Sequence, residues 1–148
     1  MSFHYVLANI HAWNRYLLLA ALIFVLYRAY SGWFGRRNYD KTDNASSAAL
    51  LGLTHLQLLL GLILYFGTST YTKAAFANMG AAMKDSTLRY YAVEHITVML
   101  LAVVMIQLGR TLSKKSAAHQ DKFRKLAIYT SIGLGLIVLS LAPKGLLL

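Results

Sequence analysis

The sequence predicts an all-α fold: an integral membrane four-helix bundle, up-down-up-down, forming a single domain over residues 1–148. Three observations predict it. The chain is 57% hydrophobic and only 14% charged, with a mean hydropathy of +0.50, too apolar for a soluble domain of this size. Four apolar runs approach the roughly 20 helical residues that cross a bilayer. The basic residues concentrate in alternate connections between those runs.

Run one extends from about Val6 to Arg28 (6-28) and run two from Ser47 to Phe66 (47-66). Run three extends from Leu88 to Gly109 (88-109), with Asp85 or Ser86 as its expected N-cap. Run four, Leu126 to Ala142 (126-142), is near the short limit and stops at Pro143, the single proline. Short connections between successive spans imply antiparallel neighbours. The longer segment between runs two and three, "GTSTYTKAAFANMGAAMKDST", reads as a short amphipathic piece on the outer surface, a lid over whatever lies beneath. Nothing at the N-terminus reads as a removed signal peptide.

Ten basic residues flank the first and third connections: Arg28, Arg36, Arg37, Lys41, Arg110, Lys114, Lys115, Lys122, Arg124 and Lys125. The positive-inside rule then makes those loops cytoplasmic and places both termini outside. In such a chain the net charge of +10 reads as topology and attraction to anionic lipid, not as a nucleic-acid surface. Cysteine is absent, so there is no thiolate metal site and no C-x-x-C-H for covalent haem attachment.

The histidines have depths. His11 lies early in helix one and His95 early in helix three, and both helices run inward. Counted back from Arg28 and Arg110 at 1.5 Å per residue, their levels differ by about 3 Å. In a sequential bundle, helices one and three are diagonal partners. Two imidazoles facing each other across a bundle core suit the axial positions of a haem iron. His55 is on helix two, roughly 18 Å below the outer surface, too deep to pair with either. With Gln57 it marks a quinone pocket or other second site, or it hydrogen-bonds Thr54 or helix backbone; both readings stand.

Arg15 is four residues past His11 and shares its face. Glu94 is its expected partner, ionised and turned off the iron axis because it is one residue from His95. Arg89 and Lys84, at the outer end, are placed to meet haem propionates. Trp13, Tyr90 and Tyr91 suit an interfacial aromatic belt first, and the edge of a macrocycle second. A competing copper site uses His4, His11, Met79 and Met83, soft sulfur being suited to Cu(I).

"NIHAWNRYLLL", "THLQLLLGLILYF" and "MKDSTLRYYAVEHITVMLLAV" resemble a group of small bacterial four-helix membrane proteins labelled cytochrome b. Their pattern is a His with an Arg four later in helix one, T-H-x-Q-L-x-x-G-x-x-L-Y in helix two, and M-K-D-S-x-x-R followed by V-E-H in helix three. The resemblance covers nearly the whole chain. It implies non-covalent haem b, electron transfer and a bacterial inner membrane, and it marks His11, Arg15, His55, Gln57, Lys84, Asp85, Arg89, Glu94 and His95. More distantly, the chain is similar to four-helix haem-binding and copper-resistance membrane domains.

The reading that results is a b-type membrane cytochrome with haem between helices one and three, in the outer half of the bilayer. Filled axial positions favour electron transfer over catalysis. The expected partners are the bilayer, a quinone or redox protein, and further copies of the chain. The alternatives are a non-redox membrane subunit whose His, Arg and Glu lock the bundle, and a copper-handling protein.

Overall fold

The computed structural model describes residues 1–147. Among them are four helices long and apolar enough to cross a membrane, with no strand. α1 is Phe3–Phe34 and α2 is Lys41–Ile63, which continues as a π-helical turn over Leu64–Thr68. Three short helices follow: α3, Thr70–Ala77; α4, Met79–Ala82; and α5, Ser86–Arg89. A second π-helical turn, Tyr90–Glu94, leads into α6, His95–Lys115. α7 is His119–Leu141 and ends in a 3₁₀ turn, Ala142–Lys144, at Pro143.

The expected spans are all present, but each continuous helical stretch (Ser86–Lys115 for the third) is longer than its apolar run. α2 starts at Lys41, six residues before Ser47, because Asp40 and Asp43 form a capping box there. α7 starts at His119, not Leu126. Hydropathy marks the part of a helix in hydrocarbon, whereas helical hydrogen bonding continues into the polar interface. Asp85 caps the start of the third span as expected, accepting from Thr87 and Leu88 N–H at 2.9 and 3.0 Å.

α1 packs beside α2 and α7, and α6 beside α7 and α2, so α1 and α6 are diagonal. The core is a stripe on α1 (Leu18, Leu22, Val25, Ala29) meeting Leu50 of α2, Ala102 and Ile106 of α6, and Leu126, Ala127 and Ile137 of α7. The spacing of four, three and four along α1 is the seam of near-parallel packed helices. α6 and α7 approach closely at Gly133, where an added Cβ would lie 2.8 Å from the Ile106 side chain. α2 and α6 pack more loosely, and the interior opens between them.

The basic end is held by ion pairs. The Asp43 carboxylate, buried, accepts from Arg28 Nε at 2.7 Å and Arg37 Nη1 at 2.8 Å. It also accepts from the Asp40 backbone N–H at 2.9 Å. Arg28 and Arg37 were expected only to set topology, yet both are committed to this acid. Arg110 ties α6 to α2, donating to Ser47 Oγ at 2.6 Å and Asn44 Oδ1 at 3.0 Å.

The opposite end carries the cap. Ala75, Ala82 and Ala92 pack together beneath α3 and α4, while Phe76, Met79 and Met83 are exposed. The Tyr65 hydroxyl donates to the Ala92 carbonyl at 2.6 Å, joining the two π-helical turns. Thr72 Oγ1 donates to the Tyr65 carbonyl at 2.6 Å, fastening α3 to the same point.

Candidate functional site

A largely apolar cavity of about 450 Å³ lies under the cap and between the four long helices. That is within the range of about 300–1,000 Å³ usual for small-molecule and cofactor sites. His11 and Arg15 reach it from α1, Gln57 and Gly61 from α2, and His95 from α6. His11 and His95, expected from helix counting to lie on diagonal helices, both line this one cavity.

His95 is held in a defined tautomer. The Tyr90 hydroxyl donates its one hydrogen to the Ser140 carbonyl at 3.0 Å. At its 3.3 Å contact with His95 Nδ1 it therefore accepts, and Ser140 Oγ lies 3.5 Å from the same nitrogen. Nδ1 of His95 carries the proton, and Nε2 keeps a lone pair with no partner among the described residues. This is how metal-ligating histidines are commonly oriented by a neighbour. Tyr90 sits at the start of a π-helical turn, a feature often found at functional sites, and nothing in the local sequence signals it.

His11 is fixed from α2. Asn14 Nδ2 donates to Gln57 Oε1 at 2.8 Å, which orients the Gln57 amide. Gln57 Nε2 then donates to the His11 carbonyl at 3.0 Å and reaches His11 Nε2 at 3.4 Å. His11 Nδ1 is buried with no hydrogen-bond partner. Gly61 makes room for this ring, since a Cβ there would lie 3.3 Å from His11 Cε1. One helix turn of α2 thus supplies both the polar contact and the space.

Gln57 therefore belongs to the His11 site and does not pair with His55. The two are two residues apart on α2, about 200° around the helix. His55 is exposed and outside the cavity, its Nε2 3.0 Å from Gln107 Oε1 on α6. Neither Thr54 nor backbone is its partner, because Thr54 Oγ1 donates to the Leu50 carbonyl. The expected second site at His55 and Gln57 is not assembled.

The expected Arg15–Glu94 pair is also replaced. Glu94 accepts from Arg89 Nε at 2.8 Å, and Arg89 Nη1 donates to the Met83 carbonyl at 3.0 Å. Residues five apart are about 140° apart on an α-helix and do not face each other. The wider π-helical turn at Tyr90–Glu94 brings them to one face. Arg15 donates to the Tyr16 hydroxyl at 3.2 Å and lies over the Tyr16 ring, with Nε buried and unpartnered.

Lys84 is exposed on the cap, and neither it nor Arg89 or Glu94 lines the cavity. Trp13 is 70% exposed and stands edge-on to Tyr16, turned about 200° from His11, as an interfacial belt residue would be. Tyr91 does line the cavity and stacks on Tyr71 with ring centroids 4.6 Å apart. Of the copper set, His4 and His11 line it but Met79 and Met83 do not, and His4 Nδ1 lies 2.8 Å from Thr68 Oγ1. Among the described residues, no three of His, Cys, Asp or Glu cluster as a metal site.

What the arrangement offers is an apolar chamber lined by two imidazoles from diagonal helices, with a guanidinium beside them. That donor set fits a flat, mostly apolar cofactor whose metal takes two axial nitrogens. Compared with protein-family models, curated proteins and solved structures, the chain matches none.

Proposed function

We propose that the chain is a b-type haem protein of the bacterial inner membrane that carries electrons, with His11 and His95 as axial ligands. The observation that carries this reading is the meeting of His11 and His95, from diagonal helices, in one cavity. Haem held by these two histidines would supply one-electron transfer rather than substrate chemistry. The chain's own residues do the holding. Tyr90 and Ser140 keep the proton on His95 Nδ1, Gln57 and Asn14 orient His11, and the Tyr65–Ala92 bond joins the two π-helical turns at the cap end. The ten-residue basic cluster faces the cytoplasm on this reading, so the haem and both termini lie on the outer side. A quinone or a redox protein is then the electron partner.

A second reading has an observation of its own. Both histidines are already hydrogen-bonded within the protein, as members of a purely structural network would be. One experiment separates the two. Purified protein, oxidised and then reduced, is expected to show a low-spin haem spectrum with a Soret band. His11→Ala and His95→Ala should each abolish the low-spin form, and His55→Ala should keep it. A structural network predicts no Soret band in any of the four. Loss of the haem in His55→Ala with retention in His11→Ala would refute the ligand assignment.

A further inference from the structure

We infer that Arg15 anchors a carboxylate of the ligand inside the membrane-embedded cavity. The inference rests on the haem reading and names the haem propionate as that carboxylate. It begins from an account of the acids. The chain has five Asp and Glu residues. Asp40 and Asp43 are bound to Arg28 and Arg37. Glu94 is bound to Arg89 and Asp121 to Arg124. Asp85 is spent on the N-terminus of α5. Every described acidic side chain is committed, and none faces Arg15.

The Arg15 guanidinium carries five N–H donors and no acceptor. Among the described residues it makes one hydrogen bond, to the Tyr16 hydroxyl, and its Nε is buried with no partner. A charge kept in an apolar membrane interior is costly unless it is balanced, and such residues mark functional sites. The cavity has one cation and, from these side chains, no anion. An occupant that balances Arg15 would bring a negative charge on an apolar body able to fill about 450 Å³. Haem carries two carboxylates on such a body. Arg15, four residues from His11 on the same helix face, is one turn from the axial ligand. Arg89 and Lys84, the cations first expected to meet the propionates, lie outside the cavity, and Arg89 is paired with Glu94 and donates to the Met83 carbonyl.

The test compares haem b with haem dimethyl ester, which has the same ring and no carboxylate. Both are titrated into purified apoprotein in one detergent, followed by the low-spin Soret band. The wild type should prefer the free acid by roughly 10- to 100-fold, the worth of one charge-assisted hydrogen bond. Arg15→Gln should reduce that preference to near unity while still binding both compounds, and Arg15→Lys should retain part of it. Comparing ratios cancels the different partition of the two compounds into detergent. Equal affinity of the wild type for acid and ester would overturn the inference, whatever the variants do, and would leave lipid anions to balance Arg15. An undiminished preference in Arg15→Gln would overturn it as well. If the wild type binds neither compound, the haem reading itself fails, an outcome distinct from the other two.

Discussion

Replacing Asp43 by Asn should destabilise the bundle more than any other single carboxylate change. The Asp43 side chain is 1% exposed and accepts from Arg28 Nε, from both terminal nitrogens of Arg37 and from the Asp40 N–H. Asn keeps the shape but removes the charge, and it turns an NH₂ towards one of two guanidiniums. Breaking a buried ion pair by removing one partner typically costs about 3–5 kcal/mol. Here the two arginine side chains remain 22% and 34% exposed, so water takes up part of their freed charge. That places the loss near the low end, about 3 kcal/mol. For a chain of this size it corresponds to a fall in Tm of roughly 6–12 °C. Asp40 is the internal control. Its side chain is 50% exposed and pairs with the same two arginines, so Asp40→Asn should cost about 1 kcal/mol or less. Thermal unfolding of both variants in one detergent, followed by helical circular dichroism, makes the comparison. Equal losses would refute the argument, because burial would then not distinguish the two acids.

Two further outcomes concern the cavity. Tyr90→Phe removes the acceptor that holds His95 Nδ1–H, so haem affinity in titration should fall by about 10- to 100-fold, the usual effect of losing such a supporting contact. An unchanged affinity would mean that Tyr90 does not orient the ligand. Gly61→Leu should empty the site without weakening the fold. Its Cβ crowds His11 Cε1 at 3.3 Å and its methyls enter the cavity, while leaving glycine behind favours the helix by up to about 1 kcal/mol. Haem content should drop at least about tenfold, with the Tm of the apoprotein unchanged or raised, and Gly52→Leu, where no atom lies within 4 Å of an added Cβ, should leave haem content unchanged. Equal haem content in Gly61→Leu and wild type would show that the space beside His11 is not where the ligand lies.

The sequence by itself determined the four spans, their antiparallel order and the meeting of His11 and His95. Each of these follows from one-dimensional quantities. Apolar run length sets a span, loop length sets neighbours, and 1.5 Å per residue sets depth. The helix ends at Lys41 and His119 were less legible, because hydropathy does not register where polar residues continue a helix. Partner choice among polar side chains was decided only by the tertiary structure. Glu94 went to Arg89, not Arg15, because a π-helical turn changed which residues share a face, and no residue pattern announces that turn. Gln57 turned to His11 and His55 to Gln107, since two positions on one helix point to opposite sides and only the packed neighbours reveal what stands there. Arg28 and Arg37, legible as topology signals, became ligands of a buried acid because capping drew Asp43 into the first turn of α2 between them. Periodicity carries position along and around a helix. Which charge meets which depends on distances between helices, and those exist only once the bundle is assembled.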